Sequence, residues 1–103
     1  MTDRQKQSKF ASMVPALINK AIELGFEVTL GDAYRHPSCP YGSEVSLHHI
    51  RLAIDLNLFK NGEYMKDSKS HRQLGEWWES QGGSWGGRYN DGNHYSLEHN
   101  GRK

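Results

Sequence analysis

An α+β domain with a small, mainly antiparallel sheet is the fold class predicted by this 103-residue chain, on three observations. A long stretch near the start repeats its apolar residues at helical spacing. Two later stretches alternate apolar and polar residues, as half-buried strands do. A glycine-rich region then separates a second, shorter helix from a last extended segment.

Phe10, Met13, Val14, Leu17, Ile18, Ala21 and Ile22 recur at i, i+3, i+4 and i+7, which predicts an amphipathic helix from about Lys6 to Leu24. Gly25 suits its C-cap. Pro15 removes one helical hydrogen bond, so either a kink sits there or the helix begins nearby, with Ser12 as its N-cap. "FEVTLGDAYR" then alternates as a first strand ending near Arg35, and "HPSCPYGSE", with two prolines and a glycine, reads as an irregular loop. In "SLHHIRLAIDLNLF", Ser46 to Phe59, the residues Leu52, Ile54, Leu56 and Leu58 alternate with Ala53, Asp55 and Asn57. This is a half-buried strand with its leucines toward the core and Asp55 on the other face. Asn61-Gly62 at the tip of "KNGEY" signals a hairpin. Asp67 or Ser68 can cap a helix running to about Ser80, with Leu74, Trp77 and Trp78 on its buried side, the two tryptophans serving as core and rim rather than as sugar platforms. "QGGSWGGRYNDGNHYSLEH" is glycine-rich, then extended from His94; Trp85, between its glycine pairs, either lines a cleft or packs under the loop. No repeat, low-complexity tract or linker interrupts the order, so residues 1–103 are expected to form one domain.

Bulk properties exclude several function classes. The formal net charge of +1 gives no general attraction to nucleic acid or to acidic membranes. A single cysteine, Cys39, cannot form an internal disulfide, and with no paired base beside it a nucleophilic role is not expected. "MTDRQKQSKF" lacks the apolar core of a signal peptide, and no segment approaches the ~20 apolar residues of a membrane span. The expectation is a chain made in the cytoplasm, monomeric, with neither a nucleic-acid partner nor membrane insertion.

The chemistry resides in the histidines and acids. His48, Asp55 and His94 can be taken together as a metal set, because two imidazoles and one carboxylate leave a tetrahedral Zn²⁺ one open position. Zinc so held lowers the pKa of a bound water to ~7. Asp91 lies three residues before His94 across Gly92-Asn93; the turn this sequence favours would let both converge, placing an acid where hydrolysis needs a general base. Spacing alone leaves a solvent-facing Asp55 and surface histidines as the alternative. It also leaves a parity problem, since on an unbroken strand His49, not His48, would share the face of Asp55.

"SLHHIRLAIDLNLF" resembles the Ser-x-His-x-x-Gly-x-Ala-x-Asp signature of the zinc D-alanyl-D-alanine carboxypeptidase and L-alanyl-D-glutamate endopeptidase family, whose fold the Hedgehog signalling domain shares. Ser46, His48, Ala53 and Asp55 match, and Arg51 stands where glycine is usual. "WGGRYNDGNHYS" resembles the second block, ending in acid-x-x-His, and "GDAYRHP" the segment carrying the active-site arginine. The resemblance implies a Hedgehog/DD-peptidase-like fold, Zn²⁺ on His48, Asp55 and His94, and Asp91 as catalytic acid. Arg35 would stabilise an oxyanion or grip a substrate carboxylate, and Ser46 would touch substrate or cap a turn. It places His48 rather than His49 on the metal, which requires a bend or bulge before the strand, and Arg51 becomes a concern if that position needs positive φ. His36, His49, His71 and His99 are then surface residues. Most similar is the phage endolysin branch. That implies cleavage of the L-alanyl-D-glutamate bond of bacterial peptidoglycan stem peptides, with the chain reaching the wall after release from the host cytoplasm. A D-alanyl-D-alanine carboxypeptidase or dipeptidase, and a non-catalytic zinc-containing wall-binding or virion module, are the other readings.

Overall fold

Thr2 starts the first helix earlier than its apolar spacing suggests. Its hydroxyl accepts the Gln5 N–H at 3.1 Å while Gln5 Oε1 accepts the Thr2 N–H at 2.9 Å. This reciprocal cap opens α1 at Asp3, and α1 runs to Glu23. Ser12 is therefore inside the helix, its hydroxyl donating to the Lys9 carbonyl. Pro15 is accommodated within the helix because it lies on the exposed face, where water can reach the carbonyl it leaves without a partner. At the other end Gly25, at φ +95°, closes the helix: its N–H donates to Ile22 O and the Phe26 N–H to Ala21 O, both at 3.0 Å.

The computed structural model describes residues 1–40 and 46–103; part of the predicted 36–44 loop, residues 41–44, lies outside them. Strand β2, Ala53–Lys60, is the centre of a five-stranded antiparallel sheet. Its second half pairs with β1, Glu27–Leu30, in the register Val28↔Leu58 and Leu30↔Leu56. It also turns through Asn61-Gly62, both at positive φ, into the short β3, Glu63–Tyr64. Its first half pairs with β5, His94–Ser96, and β5 pairs in turn with β4, Ser84–Trp85.

Two elements depart from expectation. The first strand ends at Leu30 rather than near Arg35, although the next two residues stay beside β2: the Gly31 N–H donates to Asp55 O and the Asp55 N–H to Asp32 O, both at 2.8 Å. A Cβ on Gly31 would lie 2.9 Å from that of Asp55, so the chain comes this close only without a side chain. The second helix is preceded by a 3-10 turn, Ser68–His71, which Asp67 caps; α2 then runs Arg72–Ser80.

The core lies between the helices and one face of the sheet. Leu17 and Ala21 of α1, Leu56 and Leu58 of β2, and Leu74 and Trp78 of α2 are fully buried, with Trp77 at the margin. Each buried leucine contributes roughly 1.5–3 kcal/mol. His71 is not a surface residue: it is 2% exposed, and its Nδ1 lies 2.7 Å from the Tyr95 hydroxyl. Burial lowers its pKa to about 4, because the interior disfavours imidazolium. Trp85 packs inside as well, donating its indole N–H to Gly92 O at 2.7 Å.

Candidate metal centre

Ser46 Oγ accepts the His48 N–H at 3.1 Å and caps a single 3-10 turn, Leu47–Ile50. Arg51 follows in the left-handed conformation, φ 59°, ψ 36°, and its N–H returns to His48 O. This turn ahead of β2 breaks the alternation, so that His48 reaches the face of Asp55. His48 Nε2 lies 3.1 Å from Asp55 Oδ1, whereas His49 has no contact with that carboxylate among the described residues. Left-handed backbone costs a non-glycine residue roughly 1–2 kcal/mol. The Arg51 guanidinium lies over the Tyr34 ring, 4.0 Å from its centroid, a contact that offsets about 0.5–1 kcal/mol of it.

Asp55 and His94 face each other directly across the β2–β5 ladder. His94 Nδ1 is 3.7 Å from Asp55 Oδ1, and its ring meets that of His48 edge-on at 5.1 Å. One ligand atom from each of the three residues lies within 4.8 Å of the others. The donors suit a divalent cation. His48 Nδ1 is 3.3 Å from the Ala33 carbonyl, a contact that places the ring proton there and turns the Nε2 lone pair toward Asp55. Two lone-pair atoms 3.1 Å apart then face each other, and a cation between them satisfies both. His94 adds a third: among the described residues its ring has polar neighbours only on the Nδ1 side, Asp55 and Asp91, while Nε2 is buried without a hydrogen-bond partner. Without a cation the two rings can carry protons on the atoms that face Asp55; burial then works against ionising its carboxyl, but their hydrogen bonds and charge outweigh it and hold it at about 2. Two imidazoles and an ionised carboxylate are a zinc-type donor set.

Asp91 reaches the same cleft through a turn. The His94 N–H donates to Asp91 O at 3.1 Å, and the exposed Asp91 carboxylate stands 4.0 Å from His94 Nδ1. Glycine makes this turn possible: a Cβ on Gly86 would lie 2.3 Å from Asp91 O and 2.7 Å from His94 Cβ, and one on Gly92 would strike the Ser68 backbone. Arg35 enters from the segment after β1, its backbone N–H on His48 O at 3.3 Å. Its guanidinium holds Asp32 Oδ2 at 3.1 and 3.3 Å and passes 3.9 Å from Asp55 Oδ2.

All six residues singled out from the sequence, Arg35, Ser46, His48, Asp55, Asp91 and His94, line one cleft of about 510 Å³. Sequence reasoning missed Asp32, which orients Arg35; the i, i+3 spacing of the two was its only sign. It also missed Tyr89, Arg102 and Lys103 on the cleft wall, although Asn100-Gly101 repeats the turn signal read at Asn61-Gly62. A second groove of about 520 Å³, between α1 and Tyr34, has neither acid nor histidine among the described residues of its lining.

The model of a family described as D-alanyl-D-alanine carboxypeptidase matches residues 41–97, more than half of the chain. The matched span holds Ser46, His48, Asp55, Asp91 and His94 and leaves Arg35 outside it. No curated protein matches the chain.

Proposed function

The chain belongs to the D-alanyl-D-alanine carboxypeptidase family of zinc-dependent, peptidoglycan-acting metallopeptidases, and from that premise we propose that it is an endolysin-type L-alanyl-D-glutamate endopeptidase. The observation that supports an enzyme, rather than a wall-binding or virion module, is the acid beside the donor set. A site that only held metal for structure would gain nothing from an exposed Asp91 carboxylate 4.0 Å from His94.

Each residue then has a task. His48, Asp55 and His94 hold the Zn²⁺, which when bound polarises a carbonyl and acidifies water. Asp91 accepts a proton from the water that attacks the peptide carbonyl, and returns it to the amine nitrogen as the C–N bond breaks. Arg35, kept in place by Asp32, presents a cationic fork to the oxygen on which charge develops. Ser46 positions His48 through its cap and lines the cleft beside it, within reach of substrate. As an endolysin the chain would reach the wall through a membrane already opened by a partner.

The description of the family model favours a second reading, removal of a terminal D-alanine. Mass spectrometry of digested wall fragments separates the two. Stem peptides with a new amino-terminal glutamate support the endopeptidase; free D-alanine as the only product overturns it in favour of the carboxypeptidase.

A further inference from the structure

The groove between α1 and Tyr34 borders the metal cleft along two stretches of chain. Ala33 and Tyr34 line the groove where the next residue, Arg35, lines the cleft. On β2, Ala53 lines the groove and Asp55 the cleft, on one face of the strand and about 7 Å apart. The Ala33 carbonyl lies 3.3 Å from His48 Nδ1, and the Arg51 N–H donates to His48 O. Phe10 and Ile54, each 6% exposed, form the groove's floor, while Val14 and the exposed Tyr34 flank it. A concave, mainly apolar site of about 520 Å³ with a few polar groups has the build of a ligand pocket.

The groove's charge has one sign. Among the described residues of its lining, Arg4 and Arg51 are the charged ones, and neither has a carboxylate within ion-pair distance. Arg4 gives one N–H to Ser8 Oγ at 2.9 Å. Arg51 lies over the Tyr34 ring, 4.0 Å from its centroid, and none of its side-chain N–H groups has an acceptor among the described residues. The two guanidiniums stand on different walls, one on α1 and one at the turn before β2. An acyl chain brings charge at one end only, whereas a peptide brings carboxylates at more than one point and small apolar groups between them. We propose that this groove is a second binding site, for an acidic peptide segment continuous with the one held at the metal cleft. The inference rests on the peptidase reading and deepens it. The glutamyl residue on the amine side of the bond, and the chain end beyond it, supply such carboxylates.

The test compares kcat/KM on zinc-loaded protein for two peptides that share the scissile bond. One ends as an amide at the residue after the bond; the other continues for three residues with free carboxylates. The longer should be favoured by about tenfold or more, the scale of one charge-assisted contact. Ala11→Trp sets an indole in the groove from an exposed helix position and should remove that preference. Should it fail to fold, Arg4→Glu reports on the same groove, since an acid is favourable in the first helical turn. Calorimetric titration with the acidic amine-side product peptide reads the groove without turnover. Binding that Ala11→Trp abolishes, with no hydrolysis of either peptide by wild type, upholds the groove and overturns the peptidase reading. Hydrolysis of both peptides with equal kcat/KM does the reverse, and a preference unchanged in both variants overturns the assignment to this groove. Laurate binding that Ala11→Trp abolishes, with no binding of the peptide, overturns the proposal in favour of an anionic amphiphile.

Discussion

Arg51 shows how a single residue can depart from a motif and keep the site. The position does need positive φ, which is why glycine suits it, and the Tyr34 contact offsets part of the cost. Arg51→Gly relieves the backbone but gives up that contact and adds unfolded-state entropy. The expected net change in stability is within about 1 kcal/mol, read from denaturant unfolding, with zinc content unchanged. At the ligands the stakes are larger. His48→Ala, Asp55→Ala and His94→Ala should each lose zinc by elemental analysis, while His49→Ala should retain it, since His49 stands off the donor set. The candidate site residues were legible in the sequence through the family resemblance, since residue type and spacing alone left Asp55 and the histidines open to a surface reading. Which of two adjacent histidines turns inward was not legible from strand parity, because the turn capped by Ser46 breaks the alternation before β2 begins.

At the scale of elements, α1 and β2 were readable because periodicity over many residues outweighs local exceptions, and Pro15 on the exposed face is such an exception. Strand β4 was not readable. Two residues, Ser84 and Trp85, display no alternation, and they are extended only because they pair with β5. The glycine-rich stretch around them is a packing device, since Gly86 and Gly92 let the Asp91–His94 turn close. The buried link between the turn before α2 and β5, His71 to Tyr95, was also hidden, because nothing in the sequence distinguishes a core histidine from a surface one. It has a measurable consequence. The folded pKa of His71, about 4, lies below the ordinary 6.5, so the unfolded chain binds the proton more tightly. Its contribution is therefore fully present above about pH 6.5 and is lost as pH falls toward 4, by up to about 3 kcal/mol. Thermal unfolding of wild type and His71→Gln across that window should show the steeper acid loss in wild type; parallel curves would contradict the buried neutral imidazole.

Over the whole molecule, the donor set joins three stretches far apart in the chain: the turn after Ser46, strand β2, and the turn into β5. Metal bound there favours the folded state by mass action, so chelation should lower the melting temperature and added zinc should restore it. The α+β class was legible from the order of elements, and the family from three short segments. That Arg102 and Lys103 line the cleft was not, since only the fold brings them back to it. That Asp91 moves the proton in a zinc peptidase is the claim on which the functional account turns. The direct test measures zinc per chain and release of amino groups from purified cell wall, on wild type and Asp91→Ala together. The account predicts about one zinc in both proteins, with turnover in Asp91→Ala lower by ~10²–10⁴-fold. Equal hydrolysis by zinc-loaded Asp91→Ala, or a wild type that hydrolyses wall without binding zinc, would contradict it.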